Sequence, residues 1–238
     1  MKRFVRSLKL SPAEWGLYLG SLVLIVSAFF GLRCKEYLYL AASVLGATAL
    51  IYMAKAHPVG QLLTVVFAGF YGYVAYTYAY WGEMITYLGM TAPMAFASLV
   101  AWIRHPYRDT GEVEVYRLSP AEWGVMGLSA GAVTVAFYFV LRAIHTQNLW
   151  LSTLSILTSF VPVYLTMRRS PWYALGYALN DLVLIALWAM AAKDNIEYLS
   201  MTLCFVVFLI NDSYALFRWL ARERAQSHLL PQEPDDIE

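Results

Sequence analysis

Eight stretches of this sequence are each apolar enough and long enough to cross a lipid bilayer as a helix. They lie at about 13–32, 37–54, 61–80, 84–103, 120–143, 149–167, 172–192 and 196–218. A hydrocarbon core about 30 Å thick takes roughly 20 residues of α-helix. Inside it no water pairs with backbone N–H and C=O groups, so such runs must close their own hydrogen bonds as helices. Composition agrees: 60% of residues are hydrophobic and 14% charged, against roughly 45–50% and about 25% in soluble domains. The predicted fold class is an all-α polytopic membrane protein with about eight transmembrane helices. The first run follows a basic start and so imitates a signal peptide. It lacks a convincing small-residue cleavage site and seven more runs follow, so it reads as a retained first helix.

The connections are mostly short, which lets positive charge orient the bundle. With the N-terminus inside, the inner side holds 13 of the 17 Lys and Arg residues, among them Lys9, Lys55, Arg104, Arg117, Arg168, Arg169 and Arg222. The outer side holds Arg33, Lys35, Arg142 and Lys193. Both termini are therefore expected in the cytoplasm of a bacterium, with the bundle in its inner membrane.

The heptamer Leu-Ser-Pro-Ala-Glu-Trp-Gly occurs at Leu10–Gly16 and again at Leu118–Gly124. Each copy spells a helix start: Ser11 and Ser119 as N-caps, Pro12 and Pro120 in the first turn, and Glu14 and Glu122 closing a capping box. Trp15 and Trp123 suit the headgroup layer. A second echo, Tyr87–Thr91 against Tyr198–Thr202, repeats at nearly the same offset. The offset spans four helices, an even number, so the halves share one orientation. Parallel repeats of this kind, among transporters, hold the substrate between the halves near the midplane.

Ionisable groups inside spans are functional candidates. Glu14, Glu83, Glu122 and Glu197 read as span ends, which leaves Asp181 and Asp212 well inside, each preceded by an asparagine. Counted from Trp172, Asp181 lies about 14 Å deep at 1.5 Å per residue. Neighbours on a helix face about 100° apart, so one member of a pair can line a cavity while the other braces a helix. Aromatic residues crowd the third span (Tyr71, Tyr73, Tyr76, Tyr78, Tyr80) and flank the Asn-Asp pairs (Trp172, Tyr173, Tyr177, Tyr214). They suit a flat or cationic solute.

Several classes are excluded. A net charge of +1 supplies no basic patch for nucleic acid. Cys34 and Cys204 stand alone, without metal or redox spacing, and no cofactor motif appears. There is no phosphate-binding loop, no His-Glu-x-x-His and no Gly-x-Ser-x-Gly, so an enzyme is not expected. No Lys or Arg lies deep in a span, which leaves a phosphorylated anion without a counter-charge.

The stretches SPWYALGYALNDLVLIALW (Ser170–Trp188), FLINDSYALFRWLARER (Phe208–Arg224) and YGYVAYTYAYWGEMITYLGMTAPMAFASLVAW (Tyr71–Trp102) resemble the PnuC family of vitamin-precursor transporters. The likeness covers roughly residues 37–220. It implies a SWEET-like core of three, one and three helices behind an extra N-terminal helix. The implied divisions are 1–36, first repeat 37–103, loop and linker helix 104–148, second repeat 149–220, and a disordered tail from 221. It also implies facilitated diffusion by alternating access of an unphosphorylated solute (nicotinamide riboside, thiamine, riboflavin or a nucleoside), a cytoplasmic kinase that traps it, and self-association. Asn180 matches the asparagine of the family's Trp-x-x-x-Asn motif, with Gly176 at the tryptophan position. Asn211 and Tyr214 match the last helix, whereas Ala95 and Val163 stand where glutamines are common. The expected substrate-binding set is Asn180, Asp181, Asn211, Tyr214, Tyr177 and Trp172. A proton-coupled importer using Asp181 or Asp212, and a scaffold or receptor without transport, are the competing readings. A fluorescent protein fused after Glu238 is expected to mature inside the cell, while a periplasm-dependent reporter at the same place stays inactive; the reverse pattern would invert the topology.

Overall fold

The computed structural model describes residues 8–35, 37–77, 80–108, 110–146 and 148–227. Lys2, Arg3 and Arg6, Tyr78, and the tail beyond 227 that the sequence marks as disordered lie outside them. The spans are α1 (Pro12–Gly31), α2 (Tyr37–Ala54), α3 (Pro58–Thr77), α4 (Trp81–Arg104), α5 (Pro120–Ala143), α6 (Leu149–Met167), α7 (Tyr173–Ala191) and α8 (Leu199–Ser227). These are the eight apolar helices long enough to cross a membrane among the described residues.

Two boundaries differ from the sequence reading. α3 opens at Pro58, where a missing N–H does no harm, and closes at Thr77, so Tyr80 lies beyond it. α8 continues to Ser227, so residues 221–227, assigned above to a disordered tail, are helical. The reason is a strap formed by the α4–α5 loop. Arg222 bonds Glu112 at 3.0 Å and donates to the Ala54 and Lys55 carbonyls. Gln226 accepts from the Val115 N–H at 2.8 Å and donates to the Val113 carbonyl.

Six helices form a closed ring. α2 packs on α3, α3 on α4, α4 on α6, α6 on α7, α7 on α8, and α8 returns to α2. The two heptamer helices stand outside it, α1 against α2 and α8, and α5 against α6. Both capping boxes form as the heptamer predicts. Each glutamate also pins its helix to the next hairpin end: Glu14 takes Lys55, just past α2, at 3.1 Å, and Glu122 takes Arg168, just past α6. The relation of α1 to α2 is thus repeated between α5 and α6.

Glycines allow close approaches between ring helices, two of them beside the cavity-lining segments of α2 and α7. A Cβ on Gly46 of α2 would sit 2.3 Å from the Phe208 ring of α8. One on Gly176 of α7 would sit 2.9 Å from Pro162, the proline inside α6. Position 176 therefore has no room for the tryptophan common in the family. Gly46→Val is expected to destabilise the protein by about 1–3 kcal/mol through overpacking, seen as a lower melting temperature in detergent; Gly69→Ala, where a Cβ meets nothing within 4 Å, should leave it unchanged.

Candidate functional site: a central cavity closed at both ends

The ring encloses a cavity of about 50 Å³ at mid-height. All six ring helices line it and neither heptamer helix does. Aromatic walls come from Phe67 on α3, Tyr87 on α4, Tyr177 on α7, and Phe205 and Phe208 on α8. Tyr87 and Thr91 are presented by a π-helical segment, Thr86–Thr91, inside α4. Such bulges inside α-helices recur at functional sites.

Polar atoms converge on one side. Thr158 and Ser159 of α6 donate their hydroxyls to the Asn180 Oδ1 at 2.8 and 3.0 Å. With these hydroxyls on its oxygen, the amide presents its NH₂ as a donating side. Asp181 on α7 and Asp212 on α8 both line the cavity and lie close enough to interact. The Asp181 Oδ2 and Asp212 Oδ1 atoms are buried without a hydrogen-bond partner. No Lys, Arg or His lines the cavity.

Each end is closed by aromatic side chains. At the basic end, Trp102 of α4 donates to the Thr166 carbonyl at 2.9 Å and Trp219 of α8 to the Met53 carbonyl at 2.8 Å. Their rings lie 5.4 Å apart, with Tyr173 against Trp219 at 4.9 Å. At the opposite end, Trp188 of α7 donates to the Tyr71 hydroxyl of α3 at 2.8 Å. Tyr87 packs tilted against Tyr71 at 4.2 Å, and Tyr80, between α3 and α4, covers Trp188 at 4.9 Å. Burial pushes the Tyr80 phenol up to about 12, so it stays neutral in any physiological setting.

Of the expected binding set, Asn180, Asp181 and Tyr177 line the cavity. Asn211 does not: its amide donates to Ser21 of α1 at 2.9 Å, and the 100° step to the next residue turns Asp212 inward instead. Tyr214 is half-buried near the basic end, outside the cavity lining. Trp172 is 44% exposed just before α7 and lies outside the cavity as well. Glu83, read above as a span end, is buried to 1% exposure and accepts from Ser155 of α6 at 2.6 Å. Cavity-lining residues outside the expected set include Asp212, Ser159, Tyr87, Thr91 and the phenylalanines. Asp212 carried the plainest signal, as an acid inside a span.

Residues 36–221 match the family described as nicotinamide mononucleotide transporter. The nicotinamide riboside transporter PnuC of Neisseria mucosa (strain ATCC 25996 / DSM 4631 / NCTC 10774 / M26) is 27% identical over 204 residues, covering 82% of this chain and 76% of that protein. A crystal structure of the vitamin B3 transporter PnuC has the same fold, with a TM-score of 0.81 at 22% identity over 94% of this chain and 98% of that one. With eight apolar spans among the described residues, six of them ringing a central cavity, and this match over most of its length, the chain belongs to the nicotinamide mononucleotide transporter family: it is a multi-pass membrane transporter, not an enzyme.

Proposed function

We propose that the cavity carries an unphosphorylated aromatic vitamin precursor, with nicotinamide riboside as the best-fitting solute. The observation that carries this reading is the lining itself. Aromatic walls suit a flat ring, the Asn180 amide and the α6 hydroxyls suit a carboxamide or ribose, and the carboxyl pair suits a positive charge. The family's description names a mononucleotide, but a phosphate is dianionic and would meet two acids and no cation here. The riboside has no phosphate and its pyridinium ring is cationic. Thiamine, with a cationic thiazolium ring, is the second solute that the carboxyl pair favours.

A pocket for a small ligand takes roughly 300–1,000 Å³, several times the enclosed volume, so the aromatic walls must move apart around the solute. Alternating access achieves this by rocking α2–α4 against α6–α8. The excess of Lys and Arg at one end of the bundle supports a reading with both termini in the cytoplasm of a bacterium, where a kinase would meet solute released from the basic end. Phosphorylation inside converts the solute to an anion that the acidic cavity rejects, which makes passage one-way without ATP hydrolysis by the transporter.

Titration calorimetry of nicotinamide riboside into the purified chain is expected to give binding that Asn180→Ala weakens by about tenfold, the equivalent of one lost hydrogen bond near 1.4 kcal/mol. Trp172→Ala should stay within about twofold, because that ring lies outside the cavity. Equal binding of nicotinamide mononucleotide, or a larger loss in Trp172→Ala than in Asn180→Ala, would overturn the assignment.

A further inference from the structure

The chain between α4 and α5 does more than connect them. His105–Tyr107 and Glu112–Glu114 pair as a short hairpin across the basic end. Pro106 and Val113 form an antiparallel bridge, Tyr107 donates its N–H to the Glu112 carbonyl at 2.7 Å, and Glu114 donates to that of His105 at 3.0 Å. Gly111 turns with a φ of 81°, in the left-handed region that glycine adopts without strain. The return arm carries Val113, wholly buried, into the cluster of Trp102, Trp219 and Tyr173 that closes that end.

This strap is tied to both groups of ring helices. It joins α2–α4 through its covalent junction with α4 and through the Val113 N–H, which donates to the Ala56 carbonyl just past α2 at 2.9 Å. Its links to α6–α8 are made mostly by charged and amide side chains. Glu112 takes the Arg222 guanidinium at 3.0 Å, and Gln226 holds the Val113 carbonyl and the Val115 N–H. Glu114 pairs with Arg169 at 3.7 Å, and the Tyr116 N–H donates to the Arg169 carbonyl at 3.1 Å. Arg222, its side chain only 8% exposed, also reaches across to the Ala54 and Lys55 carbonyls at the end of α2. The extension of α8 to Ser227, about two turns past Trp219, supplies both Arg222 and Gln226.

We propose that the strap is the latch of the basic-end gate. The inference rests on the rocking of α2–α4 against α6–α8 proposed above. Opening the basic end moves Ala54–Ala56 away from Arg169 and Arg222, and one segment cannot follow both. The strap keeps its α4 junction and its Ala56 bond and leaves with α2–α4, while Arg169, Arg222 and Gln226 stay with α6–α8. Val113 then parts from Trp219 and Tyr173, which clears the way out of the cavity. On closure the guanidinium meets one carboxylate and two carbonyls held in fixed positions, so the contacts re-form together. The latch thus biases the resting balance toward a shut basic end without touching the solute.

Labelling of a cavity cysteine by a membrane-impermeant thiol reagent reads the gate without any solute. In the full chain with Cys34→Ala and Cys204→Ala, Thr91→Cys places a thiol on the cavity wall. Adding Arg222→Leu and Gln226→Leu removes the α8 side of the latch. Labelling from the basic side should then rise by about fivefold, the effect of one lost hydrogen bond on a two-state balance. Labelling from the opposite side should fall, because the two gates open in alternation. Glu112→Gln, a change confined to the strap, should move both rates in the same directions by a smaller factor. Equal gains at both ends in both variants mark a loosened fold, and that result, like unchanged labelling, overturns the latch. Riboside flux into liposomes tests the solute separately: its absence beside the one-sided shift removes the solute and leaves the latch, and flux without the shift does the reverse.

Discussion

Inside a bilayer a polar side chain finds its partner within the protein or goes without, and the architecture of this chain follows from that constraint. Lipid tails are as apolar as leucine, so burial alone does not tell a helix which neighbour to choose. The contacts that make the choice here are polar and few. Asn180 binds Thr158 and Ser159, Glu83 binds Ser155, Asn211 binds Ser21, and two tryptophans reach carbonyls on facing helices. Each joins two different helices. α6 is the common partner for α4 and α7 because its serines and threonines run along one face. Where the pairing is incomplete, at the two aspartates, the leftover capacity faces the cavity.

Much of this was legible in the residues. Span length and hydropathy located the helices to within a few positions, except at the far end of α8, since a lipid-facing run announces itself without knowledge of its neighbours. The heptamers announced their helix starts, because a capping box is built from residues three apart. What stayed hidden was rotation. α8 is apolar on most sides, so no stripe says whether Asn211 or Asp212 turns inward. Matching Asn211 and Tyr214 to the family's last helix placed them in the binding set, yet in this chain the amide braces α1. Trp172 was proposed for its closeness in sequence to Asn180. Two turns of helix separate them, and that carries the ring out of the cavity.

Burial near a span end was hidden for another reason. Glu83 lies in the first turn of α4, where a glutamate would ordinarily face water. Gly82 beside it allows α4 to sit close against Leu141 and Ser152, which draws the carboxylate to Ser155. Neither the π segment nor the Tyr71–Trp188 pair has a local signature, since one is a matter of backbone register and the other joins residues on helices far apart in the chain.

The lids divide their bonds in a telling way. Tyr71 and Trp188 tie α3 to α7; Trp102 and Thr166 tie α4 to α6; Trp219 and Met53 tie α8 to α2. None lies within α2–α4 or within α6–α8, so every closing bond crosses the seam between those two groups. At about 1 kcal/mol apiece, a handful of hydrogen bonds fastens each end, while the packing inside each group is untouched when they break. Undoing the two tryptophan bonds at the basic end leaves the Tyr71–Trp188 bond as a fulcrum, and undoing that bond hands the fulcrum to the tryptophans. In the rocking motion proposed above the chain would act as a two-armed lever, unlatched from either end without coming apart.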